Sequence, residues 1–275
     1  MAHSPAASQF PEQYAHGHHP SVLASHEWRT AENSAAYLLP RLQPGTRVLD
    51  VGSGPGTITV DFAGIVAPGQ VVGVDASADI VAQARALGAE VGASNLDFQV
   101  GDAYVLDAAD GSFDVVHASQ VLHHLARPAD ALREFGRVAG PEGIVAAREV
   151  DYEGVIWYPE VPALRTWMDV YLQVHRSHGG EPSAGRRLKA WAREAGFTRV
   201  QATGSVWVFA SDEEREWWGG SWAERAVASK FATDAIERGF ADRATLERIA
   251  DGWREWATAE DGWLLMPHGE LIARR

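Results

Sequence analysis

Val48-Leu-Asp-Val-Gly-Ser-Gly-Pro-Gly56 is an apolar run that breaks into glycines, and a second apolar run, Val71-Val-Gly-Val-Asp75, follows it. Each run is short and β-branched enough to be a buried parallel strand. The glycines fall where the first strand must turn tightly into a helix, so the pair predicts a nucleotide-binding βαβ unit. Gly52, Gly54 and Gly56 let the backbone approach a ligand closely, and an acid ending the second strand can accept both hydroxyls of a ribose. Asp75 is that acid.

The spacing separates two classes of ligand. A dinucleotide loop reads GxGxxG, with pyrophosphate held at a helix N-terminus, whereas this loop reads GxGxG and continues into Thr57. Asp50 stands two places before the first glycine. A carboxylate there repels pyrophosphate and suits a ligand carrying an ammonium group, which points away from NAD.

These residues resemble those of class I S-adenosylmethionine-dependent methyltransferases. In that resemblance Asp75 matches the ribose-binding acid, Gly101-Asp102-Ala103 the adenine-contacting loop, and Phe113-Asp-Val-Val-His117 the strand that follows. Ser119-Gln-Val-Leu-His-His-Leu125, Pro128 through Val138 and Pro141-Glu-Gly-Ile-Val145 are similar to the ubiquinone and menaquinone methyltransferase branch. The motifs run in order through roughly residues 44 to 150. The resemblance implies S-adenosylmethionine as cofactor and S-adenosylhomocysteine as product. It also implies an α/β, doubly wound, Rossmann-like sheet of seven strands with helices on both faces and an antiparallel last strand; the helical block before that strand reads as an inserted cap and departs from the compact quinone enzymes.

Composition agrees with such an enzyme. A chain of 275 residues can hold a full doubly wound core plus an elaboration. The formal charge of -13 disfavours nucleic acid or an anionic membrane as partner, since either rewards a basic face. With no cysteine, disulfides, thiolate catalysis and a cysteine-based zinc site are all excluded. No apolar run approaches membrane-spanning length and no signal-peptide core opens the chain, so a cytoplasmic protein is expected. Its expected partners are a small-molecule acceptor and, at most, a second copy in a homodimer.

Residues 1–43 read as an N-terminal flap and covering helix, 44–150 as the cofactor core, and 151–275 as the rest of the sheet with cap insertions near 155–183 and 211–260. Glu27 to Leu39 has a helical apolar face and is stopped by Pro40. Helices are further expected over Thr57–Val66, Asp79–Gly88, Pro128–Val138, Val161–His178 and Arg186–Ala195. Ser211 to Glu260 reads as mostly helical, with strands from Phe197 to Ala210 and from Trp263 to Arg274. The N-terminal His16, His18 and His19 lie in a loop punctuated by Gly and Pro without a carboxylate at ligand spacing, so no metal site is expected.

The cofactor set expected from all this comprises Gly52 and Gly54 against the methionine portion, with Asp50 on its ammonium. Asp75 takes the ribose, Ala76, Ser77 and Ile80 line the adenosine, and Gly101, Asp102 and Ala103 meet the adenine. Ser119 and Gln120 complete the floor, with Tyr14 on a flap and Arg29 and Asn33 reaching the cofactor carboxylate. Methyl transfer needs alignment, exclusion of water and, for a protonated acceptor, a base. His124 is the expected base. Glu149, Asp151 and Tyr152 compete with it, and Tyr171 and His175 share a helical face four residues apart. His123 and His124 are expected to point in different directions. The chain has eleven tryptophans, the largest group of them in the cap, where Trp218 or Trp222 is expected to wall the acceptor pocket. A non-methylating protein that merely binds S-adenosylmethionine is the alternative that the residues leave open.

Overall fold

A computed structural model describes residues 28–275. Its sheet begins with β1 (Val48–Val51), β2 (Val71–Asp75), β3 (Leu96–Val100), β4 (Val115–Ser119) and β5 (Ile144–Val150), all parallel to one another. Three further strands, β6 (Ile156–Tyr158), β7 (Arg199–Phe209) and β8 (Trp263–Arg274), complete it in the order β3-β2-β1-β4-β5-β8-β6, with β7 on β8. The last strand is antiparallel to β5, β6 and β7, in the expected sense. The strand count is eight, one more than expected, because the three-residue β6 continues the β5 side of β8, pairing Ile156 with Leu265 and Tyr158 with Trp263. Three residues are too few for an alternating pattern to register.

Side chains alternate across the parallel strands and bury two faces. Leu49 and Val51 of β1 pack toward α4 (Pro128–Ala139) and α6 (Leu188–Glu194), through Leu132, Phe135 and Leu188. Val48 packs on the other face with Phe62 and Val66 of α2 (Thr57–Val66) and Ala31 and Ala35 of α1 (Ala31–Ala35). Between β2 and β3, α3 (Ala78–Glu90) sets Val81 and Ala84 against Phe98. The covering helix is shorter than expected. Thr30 and Asn33 close a capping box that starts α1 at Ala31, and a single 3-10 turn follows over Leu39–Arg41, so Trp28 and Arg29 precede the helix.

Beyond β5 the chain builds the cap from α5 (Pro162–Ser177), α7 (Asp212–Ala228), α8 (Lys230–Glu237) and α9 (Arg243–Thr258). Ser211 and Glu214 form the capping box of α7. Gly219 permits α7 and α9 to approach closely, since a Cβ there would stand 2.7 Å from that of Ala257 and 2.9 Å from the Trp253 carbonyl. Trp167, Trp222, Trp253 and Trp256 are at most 1% exposed. Trp167 lies 4.7 Å from Trp222 and 4.8 Å from Trp253, ring to ring and edge-on. This corrects the expected pocket wall: Trp222, and Trp218 stacked 4.2 Å from Phe209, are the core of the cap. No helix among the described residues is long and apolar enough to cross a membrane.

Candidate cofactor and acceptor site

The carboxyl ends of β1 and β2 place the glycine loop over Asp75. Its Oδ2 accepts from the Gly54 N–H at 3.1 Å and its Oδ1 from the Ser77 N–H at 2.9 Å. Each carboxylate oxygen has a second lone pair, so this bracing still leaves Asp75 able to accept from a diol. Ser77, not Asp75, caps α3, through the Ile80 N–H. Gly54 has φ +56°, and among the described residues nothing lies within 4 Å of where a Cβ would sit, so they leave its backbone bare to an approaching ligand. Ile80 is buried and Ala76 exposed at the mouth. Gly101 and Ala103 flank Asp102, whose exposed carboxylate accepts from the Tyr104 N–H at 2.8 Å.

Several expected cofactor residues lie elsewhere. Asp50 points into the core beneath α2, where Oδ2 accepts from Thr59 Oγ1 at 2.6 Å and Oδ1 meets His117 Nδ1 at 2.7 Å. With 3% of its surface exposed, it fastens β1 to β4 and α2 and offers almost no surface for direct contact with an ammonium. The strand alternation that sends Leu49 and Val51 to one face sends Asp50 to the other. Asn33 is spent on its own turn: Oδ1 accepts from the Thr30 N–H and the Ser34 hydroxyl, and Nδ2 donates to the Trp28 carbonyl. Tyr14, with His16, His18 and His19, lies outside the described residues.

Ser119 and Gln120 end β4. The Ser119 Oγ is buried without a partner among the described residues, and Gln120 holds φ +56°, a strained left-handed conformation for a side chain of its size. Its backbone N–H donates to the Arg148 carbonyl, and its side chain lies 3.4 Å from both Arg29 Nη2 and His268 Nε2. This turns Gln120 toward a cluster that includes Arg148, Trp207 and His268, none of them anticipated from the sequence. The guanidinium carbons of Arg148 and Arg29 lie 4.6 and 5.6 Å from the Trp207 ring, and His268 packs on that ring at 4.3 Å. Arg148 is 1% exposed, donates to Ser205 through Nε, and leaves Nη1 and Nη2 without partners among the described residues; Glu270 is 3.9 Å away. Burial pulls its pKa down to about 10 and pushes that of His268 well below the ordinary imidazole value. A signal existed: Arg148 and Glu149 interrupt the otherwise apolar Ile144–Val150 strand.

The expected acid and base candidates divide sharply. Glu149 is fully buried, and its Oε1 accepts from the Val121 and Leu122 N–H groups at 2.9 and 2.7 Å while Oε2 meets His123 Nδ1 at 2.6 Å. It anchors the loop after β4. Asp151 is gripped on both oxygens by Arg186 at 2.6 Å, a forked ion pair that corrects its reading as a base. Tyr152 is buried, and burial raises its pKa. His123 and His124 share one 3-10 turn over Leu122–His124, and their rings sit 3.7 Å apart, not divergent as expected for a regular backbone. His175, on α5, stacks at 5.3 Å from His123 and 5.2 Å from His124. It is 1% exposed; burial, then His123, pushes its pKa well down. His124 is half-buried.

Known proteins align with this architecture. A family model described as a methyltransferase domain matches residues 42–196. An uncharacterized methyltransferase of Schizosaccharomyces pombe is 33% identical over 270 residues, covering 95% of this chain and 96% of that protein. The ubiquinone/menaquinone biosynthesis C-methyltransferase UbiE of Ectopseudomonas mendocina is 36% identical over 118 residues, which cover 42% of this chain and 46% of that protein. Among solved structures, YcgJ of Bacillus subtilis superposes with a TM-score of 0.58 at 21% identity, covering 89% of this chain and 99% of that one. The glycine loop, the strand order and the full-length match to the yeast protein converge: this chain belongs to the class I S-adenosylmethionine-dependent methyltransferases.

Proposed function

We propose that the chain transfers the methyl group of S-adenosylmethionine to a small-molecule acceptor, an aromatic, quinone-like or secondary metabolite, at oxygen or carbon. The observation that carries the cofactor half is Asp75, braced by Gly54 and Ser77 beneath a glycine loop that is bare at Gly54. Asp75 takes the ribose hydroxyls, Ile80 and Ala76 pack on the adenosine, and Asp102 accepts from the adenine amino group. Ser119 and Gln120 lie under the methionine portion, and Arg29, beside Gln120, pairs with its carboxylate.

Bound S-adenosylmethionine supplies a methyl group already activated on a sulfonium, so the protein's task is alignment, exclusion of water and management of one proton. The acceptor binds at the carboxyl ends of β4 and β5. Arg148, with two uncommitted nitrogens near Trp207, favours an acceptor that reacts as an oxyanion, because a neighbouring guanidinium stabilises the deprotonated form of a phenol or enol. His124 takes that proton: it is half-buried beside β4, whereas Glu149 and Asp151 are already committed to partners. The match to the quinone enzyme spans 42% of this chain, so it does not carry the identity of the acceptor.

The test is calorimetric titration with S-adenosylhomocysteine and with NAD, followed by transfer of labelled methyl to a panel of phenols, quinols and enolic metabolites. Binding of S-adenosylhomocysteine and labelling of an oxygen-rich acceptor support the reading. Labelling confined to amines would overturn the acceptor class, and tight NAD binding with no response to S-adenosylhomocysteine would overturn the cofactor assignment.

A further inference from the structure

We propose that His123, His124 and His175 form a binding site for a divalent transition-metal ion of the zinc class. One ring nitrogen from each lies within 4.8 Å of the other two. They come from two separate elements, the turn after β4 and the last turn of α5, and only the fold brings them together.

The surroundings of each ring fit the role. His123 meets Glu149 Oε2 through Nδ1 at 2.6 Å, which fixes the proton on that nitrogen and presents the Nε2 lone pair. A carboxylate behind the ring is the usual means of orienting a metal-binding imidazole and raising its basicity. His175 is 1% exposed, and both its nitrogens are buried without a hydrogen-bond partner among the described residues, a state that a bound ion would relieve. The three rings pack side by side, with interplanar angles of 22° and 20° between His175 and the other two. Zinc–nitrogen bonds of about 2.0–2.1 Å require the nitrogens to close to about 3.4 Å, a shift that asks for small rotations of the rings.

Three imidazoles without a carboxylate or thiolate select zinc, cobalt, nickel or copper over magnesium or calcium, which demand oxygen ligands. A nitrogen that holds a metal cannot also accept a proton. On the reading of His124 as base, on which this consequence alone rests, the ion is an inhibitor of methyl transfer.

The experiment titrates zinc into the chelator-treated full chain by calorimetry, and cobalt by its visible ligand-field bands. One equivalent should bind, and His175→Gln should weaken it at least 10-fold, about the loss expected when a metal site is disturbed. His124→Ala, at a half-buried position, should do the same and serves if the His175 variant does not fold. Replacing His16, His18 and His19 together by alanine should leave binding unchanged. Failure of the wild type to bind one equivalent overturns the site. So does binding that the N-terminal variant abolishes, or that both cluster variants spare. Saturating zinc should then lower turnover at least 10-fold, restored by chelator. Stoichiometric binding at the cluster without inhibition upholds the site and overturns His124 as base, so the two readings fail separately.

Discussion

The carboxyl ends of β1 and β2 and the interior of the cap are built on opposite principles. At the glycine loop the proposed ligand surface is backbone: among the described residues nothing crowds Gly54, and Asp75 is held by two N–H groups. In the cap, Trp167, Trp222, Trp253 and Trp256 interlock with almost no exposed surface, Trp222 stacked on Trp253 and the other contacts edge to face. A loop of that kind can accept a polar cofactor with little rearrangement, while the aromatic core makes the cap a stiff body. On the proposed reading, recognition lies at the strand ends and rigidity in the helices, so damage to the two regions should have different signatures.

The largest effect should come from Trp253→Ala, which removes the ring that touches Trp167, Trp222 and Trp256. Denaturant unfolding should show a loss of about 3–5 kcal/mol. Retention of stability with altered acceptor preference would break the comparison, by showing that the tryptophans wall a pocket after all. His124→Ala should lower turnover about 100-fold, close to 2.7 kcal/mol of barrier, with cofactor affinity nearly constant in calorimetry. Equal turnover would show that the acceptor needs no base.

Asp75→Ala should weaken S-adenosylhomocysteine by about 1.5–3 kcal/mol, measured by calorimetry, through lost charge-assisted hydrogen bonds. Thermal stability should move less than in the tryptophan variant; a collapse of stability at constant affinity would make Asp75 a purely structural brace. The smallest effect concerns pH. Burial depresses the His268, His175 and His178 imidazoles. In the unfolded chain they protonate as pH falls through about 6.5, while the native state holds them neutral, so stability is lost as pH drops from 7 toward 5. Asp114 and Glu134 carry lowered values and lose their contribution only at more acid pH. Replacing His268 by Gln should flatten the melting temperature between pH 7 and 5, and an unchanged slope would remove His268 from that account.

The cofactor half was legible because its signals are local. A strand, a glycine turn and an acid at the next strand end lie within 28 residues of one another, from Val48 to Asp75, and the turn's geometry depends on glycine itself. Helix positions in the cap were equally readable: Pro162–Ser177 is observed where Val161–His178 was expected. The burial of the tryptophans was not, because periodicity marks an apolar face without naming what covers it. Asp50 shows the same boundary within the motif itself, since its place in the glycine signature was plain but its side was set by the pleat and by Thr59 and His117.

By itself, then, the sequence determined the βαβ repetition and the helical content of the cap, carried by turn chemistry and periodicity over short stretches, while the antiparallel last strand followed from the family resemblance. Tertiary structure alone decided which charged groups meet. Arg29 reaches Gln120 across 91 residues, Glu149 seizes His123 across 26, and β8 brings His268 to Gln120 across 148. No local pattern encodes such pairs: each costs the desolvation of a polar group, and the fold repays that cost only by placing a distant partner opposite it.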